Sequence, residues 1–200
     1  MKTLHRIPHI LALPVLTVGL LASSAADAEM AHEPMLRDLV ASQLRAIAQD
    51  PAVVAAVQAQ NAANATLTQA EIDGLDKQWR SETGTADKPL IAQVISNQLS
   101  SHLKQVFEQG QGLYTEIFVM DSKGLNVGQS DVTSDYWQGD EDKWQKTFSA
   151  GADAVFVDEV EKDESTQQLQ SQVSFSIVDP ATNTAIGAIT FGVNLDQLGG

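Results

Sequence analysis

The sequence predicts an α+β domain in which long N-terminal helices pack on an antiparallel sheet of five strands. Up to about residue 109 the apolar residues recur every three or four positions, as on one face of a helix. From Tyr114 onward they alternate with polar residues, as in strands. The strand-like segments follow one another across short turns, which favours antiparallel pairing. Helices that come first and strands that come after them are typical of the α+β class.

The first two helices are predicted between residues 35 and 64. In "MLRDLVASQLRAIAQD" the apolar residues fall on one helical face: Leu36, Leu39, Val40, Leu44 and Ile47. Asp50 and Pro51 then start a second helix, because aspartate is a good N-cap and proline fits the first turn. The alanine-rich segment "AVVAAVQAQNAAN" continues this helix to the asparagines.

Two further helices are predicted before the sheet. Thr68 and Glu71 have the spacing of a capping box, which marks the start of a helix. The segment "ETGTADKP" ends this helix. Pro89 then opens one long helix, whose apolar stripe reaches Phe107 and whose end is marked by Gly110.

The five strands are predicted in segments of alternating or continuous apolar character: "YTEIFVMD", "LNVGQS", "AVFVDEVEKD", "LQSQVSFSIVD" and "TAIGAITFGVNL". A short helix, "DEDKWQKTF", is expected between the second strand and the third. Its Trp144 and Phe148 are one helical turn apart, so we expect this face of the short helix to point into the fold.

The first residues predict export. Lys2 and Arg6 precede the apolar run "ILALPVLTVGLLA", and the small residues that follow include "ADA", the pattern of a signal peptidase site. We expect a signal peptide at residues 1–28 that is cleaved after Ala28. The apolar run is shorter than the roughly 20 residues of a membrane-spanning helix, and the chain has no cysteine to carry a lipid. The mature chain is therefore predicted to be periplasmic or secreted.

Behind the signal peptide we expect a single domain. Residues 29–112 form its helical region and residues 113–200 form its sheet. Together, residues 29–200 have the size of one ordinary folding unit. A content of 43% hydrophobic residues is also that of a globular protein.

The residue inventory excludes several functions. A formal net charge of −14 repels nucleic acid. Beyond the signal peptide the chain keeps two histidines, His32 and His102, and it has no cysteine, so neither a thiol nucleophile nor a closed zinc site can be built. The segment "DVTSDYWQGDED" lacks the ligand spacing of a calcium loop. We therefore expect no enzyme activity, no metal and no cofactor.

The order of these elements and two motifs resemble the Cache family of extracytoplasmic sensor domains, also called PDC, which have a PAS-like fold. The motifs are the D-x-x-G turn from Asp121 to Gly124 and the last strand "GAITFGVNL", and the resemblance covers residues 34–198. It implies that a small molecule is sensed in a pocket between the sheet and the loop and helix of residues 130–148. Such domains usually lie between two membrane helices, whereas this chain ends at Gly200. The resemblance thus implies a stand-alone sensor that relays ligand binding to a membrane-bound signalling or transport partner.

The segment "SDYWQGDEDKW", residues 134–144, concentrates aromatic rings and carboxylates and leaves two interpretations open. Tyr136 and Trp137 either line a ligand pocket or fold under the loop to fill the core, because aromatic rings dominate both kinds of site. The resemblance favours the pocket. The candidate ligand-binding residues are Tyr136, Trp137, Asp135, Gln129, Lys146 and Asp158.

The ligand is expected to be an amine or to resemble an amino acid. Beyond the signal peptide the arginines lie in the predicted helices, at Arg37, Arg45 and Arg80, so a guanidinium fork for a ligand carboxylate is hard to build beside the aromatic loop. Rings beside carboxylates suit a cation instead. The alternative function is a structural or protein-interaction module that uses its long helices, with a homodimer through the N-terminal helix and no small ligand.

Overall fold

A computed structural model describes residues 32–162 and 168–198 of the chain. The predicted signal peptide at residues 1–28, with its cleavage after Ala28, lies outside the described residues. Within the two described ranges, no helix combines the length and the apolar character that crossing a membrane requires.

The first part of the described chain is helical, as predicted. Helix α1 covers residues 32–48 and contains a π-helical stretch at Val40–Leu44. The other helices are α2 (Pro51–Ala63), α3 (Gln69–Thr83), α4 (Pro89–Ile95), α5 (Gln98–Gln109), α6 (Asp142–Gln145) and α7 (Leu195–Leu198). A 3-10 turn at Phe148–Ala150 follows α6.

Capping side chains start α2 and α3 where the sequence predicts. Asp50 Oδ1 accepts a hydrogen bond from the Ala52 amide at 2.8 Å, with Pro51 in the first turn. Thr68 and Glu71 form a capping box, in which the Glu71 carboxylate accepts from the Thr68 amide at 2.8 Å and the Thr68 hydroxyl accepts from the Glu71 amide. Both starts are confirmed.

The single long helix predicted from Pro89 is instead two helices, α4 and α5. Asn97 has an extended backbone, and its side chain accepts a hydrogen bond from the Ser100 amide at 2.7 Å, so it caps α5. The Ser100 hydroxyl donates to the Val94 carbonyl at 2.7 Å and satisfies the end of α4. The prediction was wrong here because the apolar stripe runs on across the break, while a local cap redirects the backbone.

The second part of the chain forms one antiparallel sheet. Its strands are β1 (Tyr114–Met120), β2 (Asn126–Gln129), β3 (Val155–Val157), β4 (Glu161–Lys162), β5 (Leu169–Asp179) and β6 (Thr184–Asn194). They are hydrogen-bonded in the order β2-β1-β6-β5-β3, and β4 pairs with β5 outside this path. The described sheet has six strands rather than five, because the third predicted strand is divided. Asp158 Oδ1 accepts from the Glu159 amide at 2.9 Å, and such local bonds compete with strand pairing.

One face of the sheet carries the main core. Ile117, Val119, Phe175, Ile189 and Phe191 are fully buried there, in one cluster with apolar residues of α1 and α2. Burial of one such side chain contributes about 1.5–3 kcal/mol. The predicted fold class, α+β with long helices packed on a PAS-like antiparallel sheet, is confirmed.

The opposite face is covered by the loop of residues 130–141 and by α6. Phe118 and Met120 pack there against Trp144 and Phe148, whose ring centroids are 5.1 Å apart. The indole Nε1–H of Trp144 also donates to a backbone carbonyl of the β1–β2 turn at 3.1 Å. Trp144 and Phe148 therefore both pack into the fold as predicted, although the helix is shorter than predicted and Phe148 lies in the 3-10 turn that follows it.

Candidate functional site

Polar side chains form part of the sheet face that α6 covers. Glu116 of β1 and Gln172 of β5 meet there, and Gln172 Nε2 donates to Glu116 Oε1 at 2.7 Å. The hydroxyls of Ser174 and Thr190, both buried, lie 2.9 Å apart. Because alternate residues of a strand share a face, these side chains point away from the main core. They give the sheet a polar floor beneath its cover.

Two cavities lie above this floor. The Glu116 cavity has a volume of about 220 Å³, and Glu116, Phe118 and Asp135 contribute to its walls. The Asp158 cavity has a volume of about 290 Å³. Lys143 and Gln172 line both cavities, which are therefore neighbours. We refer to the two cavities together as the sheet-face site.

The sheet-face site is acidic. The carboxylates in its walls are Glu116, Asp135, Glu141, Asp158, Glu159 and Glu161. Lys143 is the one lysine or arginine among the described residues that line it. Burial raises the pKa of Glu116, and this effect exceeds the lowering by the hydrogen bond from Gln172 and by the charge of Lys143. The site thus holds a surplus of negative charge that a cationic group would neutralise.

Lys143 places an ammonium group inside the site. Its Nζ lies 2.6 Å from Glu141 Oε2 and 5.7 Å from the centroid of the Phe118 ring. The Lys143 side chain is only 14% exposed. Its charge therefore lies between a carboxylate and an aromatic ring, a typical environment for an organic cation.

Asp135, a predicted ligand-binding residue, is buried in the wall of the Glu116 cavity and already has partners. Its Oδ1 accepts from Gln138 Nε2 at 2.6 Å and from the Ser134 hydroxyl at 3.1 Å. Its Oδ2 accepts from Arg80 Nη2 at 3.2 Å. An arginine does therefore reach the aromatic loop, although the sequence places it in a distant helix.

Two buried carboxamides behind the same wall have incomplete hydrogen bonding. The Nδ2 of Asn126 donates to the Thr133 hydroxyl at 2.9 Å and to the Asp135 carbonyl at 3.2 Å, but its Oδ1 has no donor among the described residues. Gln129, a predicted ligand-binding residue, accepts from the Thr133 hydroxyl at 3.3 Å, and its Nε2 finds no acceptor in the described part of the chain. Unpartnered buried polar groups are rare in folded proteins and call for an explanation.

Tyr136 and Trp137 lie beneath helices α3 and α4 rather than in the sheet-face site. The Tyr136 ring stacks on Trp79, with a centroid distance of 5.3 Å, and it also borders a separate groove of about 460 Å³ beside α2. Burial, with a smaller effect of Asp121, raises the pKa of Tyr136 to about 12. The Trp137 indole Nε1–H donates to the Lys123 carbonyl at 2.8 Å. That a ligand contacts these rings stays a prediction.

The two remaining candidates lie apart from each other. Asp158 lines the cavity that bears its name. Lys146 is 54% exposed, pairs with Asp142 at 2.7 Å and lies 4.6 Å from the Phe156 ring centroid, but it lines neither cavity. The structure therefore brings Asp135 and Asp158 to the site, places Gln129 behind its wall, and leaves Lys146 outside it.

Among the residues that line the two cavities, Asp135 and Asp158 were predicted, whereas sequence reasoning missed the others, including Glu116, Lys143 and Gln172. Glu116 and Gln172 are polar residues on one side of amphipathic strands, and that alternation was the available signal. Nothing local distinguishes Lys143 from Lys146. Among the described residues, no group of three or more His, Cys, Asp or Glu side chains is arranged to hold a metal ion.

No family model matches the chain, and no curated protein matches it. Solved structures of bacterial sensor domains do match. The sensor domain of the V. cholerae histidine kinase DctB is 13% identical, with a TM-score of 0.44, and the match covers 88% of this chain and 58% of that one. The ligand-binding domain of the Campylobacter jejuni chemoreceptor Tlp3, solved with 4-methylisoleucine, is 15% identical, with a TM-score of 0.38, over 84% of this chain and 61% of that one.

A third match is the ligand-binding domain of the Pseudomonas aeruginosa amino acid chemoreceptor PctC in complex with GABA. It is 13% identical, with a TM-score of 0.35, over 65% of this chain and 53% of that one. The resemblance to sensor domains noted from the sequence agrees with the class of these structures. This chain spans about three fifths or less of their length. GABA and 4-methylisoleucine are the ligands of those proteins, and these matches do not assign them to this chain.

Proposed function

We propose that this chain is an exported small-molecule sensing domain, without enzyme activity, that binds its ligand in the sheet-face site. The observation that carries the proposal is a polar site that is incomplete by itself. Its floor holds Glu116, a carboxyl whose pKa burial raises, and its wall is backed by the unpartnered Asn126 Oδ1 and Gln129 Nε2. A bound polar molecule would hydrogen-bond to the polar groups that line the cavities, Glu116 among them.

The ligand that suits this site is an amine or an amino-acid-like molecule. Six carboxylates line the site, and its single lysine is already paired with Glu141. The Phe118 ring offers a face to a cation. Asp135 and Asp158 are proposed to contact the ligand from the two cavities, with the Gln129 amide behind the first.

The proposed output is a change of contact with a second protein. The cover over the site consists of a loop and the four-residue helix α6, so ligand binding acts on a small element that can move. A membrane-bound signalling or transport protein is the proposed partner, and the proposed location is periplasmic or secreted.

A thermal-shift screen of the purified protein against amino acids, amines, carboxylates and nucleobases tests the proposal. Because a ligand that binds the native state stabilises it, one of these classes should raise the midpoint of unfolding. Asp158→Asn should reduce the shift, whereas Asp153→Asn, on an exposed residue outside the site, should leave it unchanged. A screen without any shift, or equal shifts in both variants, would contradict binding in the sheet-face site.

A second candidate is a protein-interaction module. The groove of about 460 Å³ beside α2 favours it, because Ala56, Ala59 and Ala63 of α2 present small apolar side chains along one wall. Sedimentation of the purified protein tests this alternative. If this alternative holds, we expect the protein to form a stable dimer that Ala59→Glu dissociates. We also expect no compound of the ligand screen to bind.

A further inference from the structure

The ammonium of Lys143 already occupies part of the sheet-face site. It lines both cavities and is largely shielded from solvent. Its neighbours are the Glu141 carboxylate at 2.6 Å and the face of the Phe118 ring. The chain has thus inserted one of its own alkylammonium groups into the place proposed for a ligand.

The carboxylates around Lys143 outnumber its single ammonium group. The Lys143 charge lowers the pKa of Glu116, but by less than burial raises it. The charges of Glu141 and Asp131 raise the same pKa further. Asp158, Glu159 and further carboxylates line the adjoining cavity. One ammonium therefore does not neutralise the site.

A second feature of the site is the hydrogen bonding behind its wall. Asn126 is fully buried, and its Nδ2 holds the Thr133 hydroxyl and the Asp135 carbonyl, both belonging to residues that line the Glu116 cavity. Its Oδ1 accepts no hydrogen bond from the described residues. Asn126 lies behind the residues that line the cavity, so the hydrogen bonding that supports this wall is incomplete.

We propose that Lys143 is an internal competitor of the ligand, and that the ligand presents a primary alkylammonium group which takes the place of the Lys143 ammonium beside Glu116 and Phe118. This inference rests on the proposed function and names its ligand class. A competitor that occupies the site lowers the apparent affinity by the fraction of molecules in which the site is free. Lys143 therefore sets the concentration at which the domain responds.

The local structure allows Lys143 to leave. Its side chain is a flexible four-carbon stem with a strongly hydrated head, so it can exchange its position for water. The side chain of its partner Glu141 is 35% exposed. Lys143 can therefore keep its ion pair with Glu141 at the edge of the site after the ligand has displaced its ammonium from the cavity. The helix that carries it, Asp142–Gln145, is only four residues long.

Lys143→Met tests the proposal, with Lys146→Met as the matched control. Methionine keeps most of the stem and removes the charge. Lys146 lies three residues further along, also pairs with a carboxylate and also lies over an aromatic ring, but it is outside the cavities. The probes are n-butylammonium and 1,4-diaminobutane, with sodium chloride at equal ionic strength as the blank. We expect Lys143→Met to bind the amines at least tenfold more tightly than the wild type, and Lys146→Met to match the wild type.

Equal amine affinity in all three proteins would overturn the inference. So would a screened amino acid or carboxylate that binds the wild type and is lost in Lys143→Met, because Lys143 would then be a ligand contact. In that case the proposed function stands and only the competitor role fails. A screen in which neither the wild type nor Lys143→Met binds any compound contradicts both.

A measurement on the wild type keeps the test independent of the folding of the variant. The Lys143 Nζ lies 5.7 Å from the Phe118 ring centroid, so displacement should change the NMR shift of the adjacent Cε methylene toward the value of free lysine as 1,4-diaminobutane is added. The Cε resonance of Lys146 should not follow that titration. A Lys143 resonance that stays in place while the amine binds would also overturn the proposal.

Discussion

Arg80 on α3 and Asp135 in the aromatic loop form an ion pair, with Arg80 Nη2 3.2 Å from Asp135 Oδ2. Arg80 also donates from Nε to Asp76 Oδ2 at 2.7 Å, and Asp76 Oδ1 accepts from the backbone amides of Tyr136 and Trp137. Because Asp135 also lines the Glu116 cavity, these bonds join α3 to the wall of the proposed ligand site.

Arg80→Met should destabilise the fold by about 1–2 kcal/mol, because it removes the cation beside the buried Asp135 carboxylate. This figure lies below that for breaking a fully buried pair, since the Arg80 side chain is 54% exposed. Arg37→Met is the control, since the pair of Arg37 with Glu33 is exposed on both sides and should contribute less than about 0.5 kcal/mol. Urea unfolding measures both. Similar losses in the two variants would contradict the role assigned to Asp135.

Glu116→Gln should flatten the pH dependence of stability. Burial raises the pKa of Glu116 above its ordinary value of 4.5, so above that pH the unfolded state releases a proton that the folded state still holds. The unfolded state then binds fewer protons, and stability falls as the pH rises from 4.5 through the folded pKa. The variant lacks this loss. Unfolding curves at pH 4 and pH 7 should differ less for Glu116→Gln than for the wild type, whereas Glu108→Gln, on an exposed residue, should behave as the wild type.

Gly124→Ala should destabilise the protein by about 2–4 kcal/mol. Gly124 has a φ of +82°, and a Cβ there would lie 2.6 Å from the backbone of Gly139, which cannot move like a side chain. Gly74→Ala is the matched control, because it lies inside α3 with nothing near the added methyl group. It should stabilise by about 0.5–1 kcal/mol. A tolerated Gly124→Ala in calorimetry would mean that the backbones at Gly124 and Gly139 do not pack as closely as described.

Trp137→Ala decides between the two interpretations of the aromatic loop. The Trp137 ring packs on Gly124 and Gly139, and its indole donates to the Lys123 carbonyl. The substitution removes both contacts, so we expect the free energy of unfolding to fall by about 2–4 kcal/mol. Trp79→Ala, at a fully buried ring, should cost about 3–5 kcal/mol. Both losses are measured by chemical unfolding. Ligand affinity at the sheet-face site should change by less than about twofold in Trp137→Ala, whereas a tenfold loss would place this ring in the pocket.

The D-x-x-G turn shows how a short motif gains its role from distant partners. Asp121 Oδ1 accepts from the amides of Lys123 and Leu125, which the spacing alone makes possible. Its Oδ2 accepts from Gln60 and Asn64, on a helix about sixty residues earlier. The turn was predictable, whereas its attachment to α2 was not, because the polar face of an alanine-rich helix does not indicate its partner.

By itself, the sequence determined the features that depend on residues close together in the chain. The cap at Asp50, the box of Thr68 and Glu71, the change from helical to strand period and the α+β class belong to this group, because backbone hydrogen bonds and side-chain spacing act over a few residues. The Asn97 cap also belongs to it, although the longer apolar stripe concealed it.

Only the tertiary structure decided which side chains meet across the sheet face. Lys143 lies in α6 and Lys146 directly follows the end of this helix, yet the first enters the site and the second is largely exposed. Arg80 reaches Asp135 across 55 residues of chain, and Tyr136 turns toward Trp79 rather than toward the sheet. These contacts depend on how the helices, the aromatic loop and the sheet pack on one another. The free energy of that packing is a property of all these elements together, so no local segment of the sequence specifies it.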